Sequence, residues 1–334
     1  MQPNSLSFNL EPTFRCNLEC PMCPRFSSED PHLDMSGDTF DRILEAMHYA
    51  HTVDFTGWGE PLLHRGIYGM IHRASERACL TTMTSNGTAL NEKNRRALIE
   101  SGLARLVISV DGMRAATYEP IRIGSSFEKL TQRITRLASL IKNSKSPLEL
   151  GVAFTIQEKN AEDLELIPSW MGSVGVKVLH LKHLNVLSNR GDWDLSFLKY
   201  VRSGSPLDEE PLRRVEKRLA MLKAEAETKG IRVEIHSEFP LTSSMIGRHC
   251  LATPLDSVYF SYEGKVSPCC HFGHHVSRFF EGKFYPAASL SYGDIRRQSF
   301  EEVWQTDSFQ SFREGFQSKQ FPKECSTCYL LYGK

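Results

Sequence analysis

The sequence has no long hydrophobic run and no excess of charge of either sign. Its apolar stretches fall well short of the roughly 20 residues that a membrane-spanning helix needs, and the polar start Met1-Gln2-Pro3-Asn4-Ser5 is unlike a secretory signal. Forty acidic and forty basic side chains cancel within the 334 residues. This balance provides no electrostatic attraction to nucleic acid or to an anionic membrane. We therefore expect a cytoplasmic protein whose partners are neither nucleic acid nor membrane.

Cysteine is missing from a long central part of the chain. Of the nine cysteines, three lie within residues 16–23, five lie within residues 250–328, and only Cys79 stands alone. Because the cytosol keeps thiols reduced, this grouping is better explained by metal or redox ligands than by disulfides. The distribution predicts two metal centres joined by an ordinary folded scaffold.

The hydrophobic pattern between residue 6 and about residue 187 indicates an α/β fold. Short apolar runs alternate with amphipathic segments, as in repeated strand-helix units around a parallel sheet. The first helix is predicted to start at Ser36, and one of its faces is apolar: Phe40, Ile43, Leu44 and Met47. Six such units predict a partial (β/α)6 TIM barrel, whose chemistry would collect at the carboxyl ends of the strands.

We expect three regions along the chain. Residues 1–190 form the partial barrel, residues 191–247 form a linker or bridging segment, and residues 248–334 form a small cysteine-rich module. Within the bridge, a leucine and valine stripe predicts one helix, and Arg232 to His236 could form an edge strand. The last region shows too little core to be stable without a metal.

The first cysteine group follows the strand-like Leu6 to Leu10. Cys16, Cys20 and Cys23 provide three thiolates, which suit an iron-sulfur cluster or zinc. Three ligands leave one iron of a cubane free to bind the amino and carboxylate groups of a small molecule. This spacing resembles the signature of radical S-adenosylmethionine (SAM) enzymes. The alternative is a structural zinc knuckle, for which His32 is the only local fourth ligand.

The resemblance continues after the second predicted strand, in Gly57-Trp58-Gly59-Glu60-Pro61. This segment resembles the Gly-Gly-Glu loop of the family, which receives the methionine ammonium of SAM. Glycine at 57 and 59 would let the backbone approach a ligand closely. The alternative is a strand-to-helix turn with Glu60 as a helix-start acid.

Further SAM contacts are implied by resemblance at the next strand ends. Ser85 and Asn86 belong to a segment similar to the Thr-Asn-Gly-Thr turn of relatives, although Asn-Gly is also an ordinary turn. Ser109 lies in a segment that resembles the family's Ser-x-Asp-Gly. Arg122 falls where relatives place an arginine against the SAM carboxylate, and a guanidinium suits paired donation to such a group. A solvated surface arginine is the alternative.

The second cysteine group resembles the auxiliary-cluster module of the SPASM and twitch families. By that resemblance the ligands are Cys250, Cys269, Cys325 and Cys328, and zinc is the alternative metal. Full SPASM modules carry more cysteines, and the chain stops six residues after Cys328, so we expect the one-cluster twitch form. The resemblance thus implies two [4Fe-4S] clusters, one that binds SAM and one auxiliary.

Two further residues are candidates for catalysis. Cys270 adjoins a proposed ligand, and either packs there or donates a hydrogen atom to a substrate radical. Arg190, in Leu187-Ser188-Asn189-Arg190-Gly191, lies in a segment similar to one in the 2-deoxy-scyllo-inosamine dehydrogenases, which are twitch enzymes. That likeness implies that Arg190 binds a substrate hydroxyl, and the alternative is a domain junction.

The resemblance implies an oxidoreductase or epimerase of natural product biosynthesis. A 5′-deoxyadenosyl radical would remove hydrogen from a carbon of a small polar, carbohydrate-like substrate, with flavodoxin or ferredoxin as reductant. The short stretch before Cys16 leaves no room for a leader-peptide-binding domain, which favours a small substrate. The alternatives are a peptide maturase that acts with a separate recognition protein, and a non-catalytic iron-sulfur electron carrier.

Overall fold

The computed structural model describes residues 2, 4–77, 79–202, 205–206, 208–236 and 250–332. The strands are β1 (Leu6–Leu10), β2 (Ala50–Asp54), β3 (Leu80–Ser85), β4 (Arg105–Ser109), β5 (Glu149–Ile156), β6 (Val178–His183), β7 (Val201–Arg202), β8 (Ser205–Pro206), β9 (Arg232–Ile235), β10 (Ser257–Phe260), β11 (Lys265–Ser267), β12 (Val276–Phe280), β13 (Lys283–Ala288) and β14 (Gly293–Asp294). The helices are α1 (Gly37–Glu45), α2 (Ile67–Ser75), α3 (Glu92–Glu100), α4 (Ala115–Ile121), α5 (Phe127–Ser144), α6 (Ile167–Val174), α7 (Arg190–Leu195), α8 (Glu209–Thr228), α9 (Phe300–Trp304) and α10 (Asp307–Gln317).

One ten-stranded sheet organises the chain, in the order β14-β11-β10-β1-β2-β3-β4-β5-β6-β9. Strands β1 to β6 pair in parallel with their sequence neighbours, which confirms the predicted partial barrel. Parallel pairing continues at both sides, where β9 joins β6 and β10 joins β1. The segment expected to be a bridge and the C-terminal module therefore both add strands to the barrel sheet. The predicted boundary between residues 247 and 248 lies outside the described residues.

Helix α1 begins at the Ser36 cap that the sequence predicts. The Ser36 hydroxyl accepts a hydrogen bond from Thr39 N at 3.1 Å, and Asn91 caps α3 in the same way. Such caps satisfy backbone N–H groups that have no partner within the helix. Phe40 and Ile43 of α1 are fully buried against the sheet, and each such burial contributes about 1.5–3 kcal/mol.

The C-terminal module packs against the barrel through aromatic side chains. The Phe260 ring on β10 lies 5.0 Å from that of Phe8 on β1, and Phe300 of α9 lies 5.1 Å from Phe8. Within the module, the Tyr292 and Phe309 rings stack at 4.3 Å. Within the described ranges, none of the helices combines the length and the apolar character that crossing a bilayer requires.

Candidate active site

A cavity of about 230 Å³, partly open to solvent, lies at the carboxyl ends of the parallel strands. Its lining brings together every residue that the sequence predicts for the first cluster and for SAM: Cys16, Cys20, Cys23, Gly57, Gly59, Glu60, Ser85, Asn86, Ser109 and Arg122.

The cysteine loop is held in place by the barrel rather than by its own core. Phe14 is fully buried, and Arg15 O accepts a hydrogen bond from Glu60 N at 2.8 Å. Within the loop, Cys23 N donates to Cys20 O at 2.9 Å, which turns the chain between two thiols. These contacts place three sulfur atoms on one wall of the cavity.

The environment of the three thiols is suited to a metal. Burial raises the pKa of the Cys23 thiol to about 11 and also raises the pKa of Cys16, so neither thiol is charged without a bound metal. Positive and polar groups face the sulfur atoms: Arg122 Nη1 lies 3.8 Å from Cys20 Sγ, and Asn86 Nδ2 lies 3.8 Å from Cys16 Sγ. Three soft thiolates with such neighbours fit an iron-sulfur cluster.

The absence of side chains at Gly57 and Gly59 lets the Gly57-to-Pro61 loop pack closely against another segment of the chain. A Cβ at Gly59 would lie 2.1 Å from Thr13 O, and a Cβ at Gly57 would lie 2.3 Å from Glu11 Cγ. The absence of a side chain at these positions lets the loop pack closely against the segment between β1 and Cys16. Gly57 and Gly59 also line the cavity, so their close approach to a ligand stays a prediction.

Glu60 joins the second and third strand ends. Its carboxylate accepts hydrogen bonds from Asn86 N at 2.7 Å, from the Ser85 hydroxyl at 2.7 Å and from Leu62 N at 3.0 Å. Burial raises the pKa of Glu60, and these donors oppose that rise. Glu60 caps a short 3₁₀ helix and also lines the cavity, and its contact with the methionine ammonium stays a prediction.

Arg122 is a partly enclosed cation rather than a surface arginine. Its side chain is 16% exposed, and its Nε donates to Asp111 Oδ2 at 2.7 Å. Burial lowers the pKa of Arg122, but the charges of Asp111 and Cys20 outweigh burial and raise it. Asp111 is fully buried and also accepts from Thr155 N at 2.7 Å, which fixes the guanidinium in the cavity wall.

Lys182 is a cavity residue that sequence reasoning missed. It lies on β6 and lines this cavity together with His183 and Asn185. Water reaches its side chain within the cavity, although protein surrounds it. Lys182 follows His180 by two residues, so the two side chains lie on the same side of the strand, the side that faces the barrel. This spacing was the signal from which its place in the cavity could have been predicted.

Two predicted catalytic residues lie outside the described lining of this cavity. The Arg190 side chain on α7 is 71% exposed and pairs with Asp194 at 3.0 Å. The ring N–H of Trp58 donates to Cys270 O at 3.1 Å, and the Cys270 thiol is close enough to Lys182 for each charge to affect the pKa of the other. Burial raises the pKa of the Cys270 thiol to about 12. Cys79 is buried near Ala50 O, as expected for a core cysteine.

The other four predicted ligands form a second group in the module. Cys269 is close enough to Cys250 and Cys328 for their charges to affect its pKa, and Cys325 is likewise affected by Cys250 and Cys328. Burial raises the pKa of Cys250 to about 12. These four thiols come from three separate chain segments, and four is the usual complement for one cubane cluster.

A buried ionic group connects the two thiol sites and was not foreseen from the sequence. His274 Nε2 lies 2.6 Å from Glu11 Oε2, and His274 Nδ1 lies 2.7 Å from Asp30 Oδ2. Glu11 also accepts from Trp58 N at 2.9 Å. The Phe14 ring lies 4.3 Å from the imidazole of His274. The group therefore ties the module to the cysteine loop.

Comparison with known proteins agrees with this arrangement. Residues 10–165 match the radical SAM superfamily, and residues 250–329 match the SPASM iron-sulfur cluster-binding domain. The chain carries a radical SAM domain followed by a SPASM module. The radical SAM domain implies a [4Fe-4S] cluster and SAM, and the SPASM module implies auxiliary iron-sulfur clusters. The two thiol groups fit these roles.

Relatives of this radical SAM enzyme are distant. A tungsten-containing aldehyde ferredoxin oxidoreductase cofactor-modifying protein of Pyrococcus furiosus is 24% identical over 96% of this chain and 86% of its own. The PqqA peptide cyclase of Granulibacter bethesdensis is 27% identical over 46% of this chain and 40% of its own. The structure of Streptococcus suis SuiB bound to precursor peptide SuiA covers 99% of this chain and 71% of its own, with 14% identity and a TM-score of 0.67, and so shares the fold.

Proposed function

We propose that this radical SAM enzyme removes a hydrogen atom from a carbon of a peptide that carries an acidic group. A separate protein would aid recognition of the peptide, and flavodoxin or ferredoxin would supply electrons. The observation that carries this proposal is the position of Lys182 in the cavity. The peptide substrates of the PqqA cyclase and SuiB relatives support it.

Lys182 makes no direct ion pair among the described residues. Arg122 in the same cavity pairs with Asp111, whereas no hydrogen bond or ion pair to Lys182 is found in the described part of the chain. The surrounding protein lowers the pKa of Lys182 because it removes part of the hydration of the ammonium, and the charge of Asp111 opposes that effect. A bound carboxylate would stabilise the charged form of the Lys182 ammonium. The cavity therefore favours an anionic substrate group.

A small aminocyclitol fits these charges less well. Its amine is a cation, which Lys182 would repel, and Arg190 lies outside the cavity lining in the described structure. The likeness to 2-deoxy-scyllo-inosamine dehydrogenases, with dehydrogenation or epimerisation of a carbohydrate-like substrate, is therefore the competing proposal.

The residues of this chain bind and orient the reactants. When bound, the reduced [4Fe-4S] cluster supplies the electron that splits SAM into methionine and a 5′-deoxyadenosyl radical. Arg122 is placed to hold the SAM carboxylate, and Glu60 and Asn86 are placed to hold its amino group. Trp58 covers one wall and limits the access of water. Lys182 would hold the peptide carboxylate so that one carbon faces the radical.

Deuterium transfer tests this proposal. Anaerobically reconstituted enzyme is incubated with dithionite, SAM and a pool of uniformly deuterated peptides rich in aspartate and glutamate. We expect deuterium in the 5′-deoxyadenosine, and less from a matched pool with asparagine and glutamine instead. Transfer from deuterated 2-deoxy-scyllo-inosamine, and none from peptides, would favour the competing proposal. A non-catalytic carrier would form no 5′-deoxyadenosine above background.

Turnover in deuterated water shows whether the substrate radical gains a hydrogen atom or is oxidised. If the Cys270 thiol returns a hydrogen atom, solvent deuterium appears at the substrate carbon, because a thiol exchanges with water. If the radical instead loses a proton to water and an electron, which an auxiliary cluster held by Cys250, Cys269, Cys325 and Cys328 would accept, no deuterium enters that carbon. Cys270 is not among the residues that line the cavity, so we propose the second outcome.

A further inference from the structure

Three potential metal ligands meet where the last parallel strand joins the barrel. His180 on β6 is directly opposite Glu234 on β9 in the strand register. His236 lies two residues after Glu234, and its N–H donates to Leu181 O at 2.8 Å, so it continues the pairing. Because side chains alternate along a strand, Glu234 and His236 project to the same side as His180.

The distances among these side chains match a metal site. His180 Nδ1 lies 2.8 Å from His236 Nε2 and 3.2 Å from Glu234 Oε2. One ligand atom from each residue lies within 4.8 Å of the other two. Bonds of about 2.0–2.2 Å to nitrogen and oxygen place neighbouring ligands about 3 to 3.5 Å apart in tetrahedral or octahedral geometry. Small adjustments would bring all three atoms to one ion.

Imidazole nitrogen and carboxylate oxygen are both ligand atoms that divalent metal ions accept. Each neutral ring offers one nitrogen lone pair, and Glu234 adds a carboxylate oxygen. The three lone pairs lie close together, and the single proton that two of them can share does not satisfy all three.

The surrounding charges orient the carboxylate and are balanced. Arg232 Nε donates to Glu234 Oε1 at 2.9 Å, which leaves Oε2 facing His180. Arg232 and Arg105 both pair with Glu149, at 2.6 Å and 2.5 Å. These two arginines and two glutamates sum to zero charge. Support of this kind from a neighbouring side chain is typical of metal ligands.

Open coordination positions would face a second cavity inside the barrel. This cavity measures about 260 Å³ and is lined by His180, His236, Asp54 and Thr82. It shares Lys182 and Thr84 with the SAM cavity above it. Water or a substrate group could therefore reach an ion held at this place. Three protein ligands and a free position are the pattern of reactive rather than structural sites.

We infer that His180, Glu234 and His236 form a binding site for a divalent first-row metal ion such as zinc. It is separate from both thiol groups and does not depend on the proposed peptide substrate. The site would hold one ion per chain through two nitrogen atoms and one carboxylate oxygen.

Zinc itself is the probe for this site. Enzyme with both clusters reconstituted is equilibrated anaerobically with one equivalent of Zn²⁺ and passed through a desalting column. We expect one zinc per chain by mass spectrometry. X-ray absorption at the zinc edge should show nitrogen and oxygen at about 2.0–2.2 Å, with no sulfur near 2.3 Å. A sulfur shell would overturn the inference, because the zinc would then be on cysteine.

Two variants at solvent-accessible positions remove a ligand without disturbing the core. We expect Glu234→Gln and His236→Gln each to weaken zinc binding at least 10-fold, with unchanged iron content and circular dichroism. His72→Gln is the matched control, since His72 is exposed and lies near a single acid, Glu76, at 3.6 Å. Equal zinc affinity in all four proteins would refute the site.

Discussion

The two thiol groups are assembled differently. The loop from Cys16 to Cys23 carries three thiols on one continuous segment, which the barrel holds through backbone contacts. Cys250, Cys269 and the pair Cys325 and Cys328 come from three segments that meet only in the folded module. A local group is positioned by the scaffold around it. A distributed group must itself connect the segments that carry it, so its metal contributes to folding.

The sharpest test of this difference removes one ligand from each group. We expect Cys16→Ser to lose about four irons per chain and to abolish 5′-deoxyadenosine formation, with little change in hydrogen exchange outside the loop. We expect Cys325→Ser also to lose about four irons, but to raise hydrogen exchange throughout residues 250–332, since three segments lose their connection. Iron analysis and exchange mass spectrometry measure both effects.

The same experiment can also show that the two thiol groups do not differ in this way. If Cys16→Ser loosens the barrel as widely as Cys325→Ser loosens the module, both clusters are structural. Cys79→Ser is the control, because Cys79 is buried far from both groups and should leave the iron content unchanged.

A second test concerns the ionic group between the two regions. His274→Gln would leave Glu11 without its main cationic partner in a fully buried position. Breaking a buried ion pair on one side costs about 3–5 kcal/mol. We expect that loss in the apparent free energy of unfolding by urea, with earlier separation of the module from the barrel. A loss below 1 kcal/mol would mean that packing alone joins the regions.

The stabilisation by His274 should depend on pH. Burial lowers the pKa of His274, but Glu11 and Asp30 outweigh burial and raise it above its ordinary value of 6.5. A raised pKa gives stability that is complete below 6.5 and is lost as pH rises through the higher folded value. The difference between wild type and His274→Gln should therefore be largest below pH 6.5 and should shrink as the pH rises above that value. A constant difference would exclude a charged imidazole.

The local group was predictable from sequence, and the contacts between regions were not. Cys16 and Glu60 lie in the segments that follow β1 and β2, Ser109 ends β4, and the carboxyl ends of parallel strands meet at one place. Their convergence follows from the strand order alone. Glu11 and His274, by contrast, are 263 residues apart, and no periodicity indicates that they touch. The zinc ligands proposed here also depend on which strand follows β6 in the sheet.

For some residues the structure adds a contact that the spacing did not indicate. The glycines at 57 and 59 predict close approach to a ligand, and in the structure they also pack against the segment between β1 and Cys16. A sequence shows that the backbone must approach something closely, but not what it approaches. Lys182 was overlooked because one charged residue at a strand end usually indicates solvent exposure.

A third test asks whether the SAM cavity prefers substrates that carry a negative charge. We expect Lys182→Met to raise KM for the acidic peptide pool by about 10- to 100-fold, which corresponds to the 1.5–3 kcal/mol of a charge-assisted hydrogen bond. SAM affinity should change little, since Arg122 is the residue proposed for its carboxylate. If SAM affinity falls and KM does not change, Lys182 binds the cofactor instead. Lys182→Arg, which keeps the charge, is the control.

The smallest expected effect is at Arg190, where the two substrate proposals differ most directly. Arg190 is 71% exposed and pairs only with Asp194 one helical turn away, an arrangement that contributes about 0.3–0.5 kcal/mol. We expect Arg190→Ala to change stability by less than about 0.5 kcal/mol and to leave deuterium transfer from acidic peptides unchanged. The matched control is Arg213→Ala on α8, which is also exposed and pairs with a glutamate one turn away. A 10-fold loss of turnover in Arg190→Ala alone would show that α7 reaches the substrate during the reaction, and the hydroxyl-binding role of Arg190 would then replace charge selection by Lys182 as the basis for choosing the substrate.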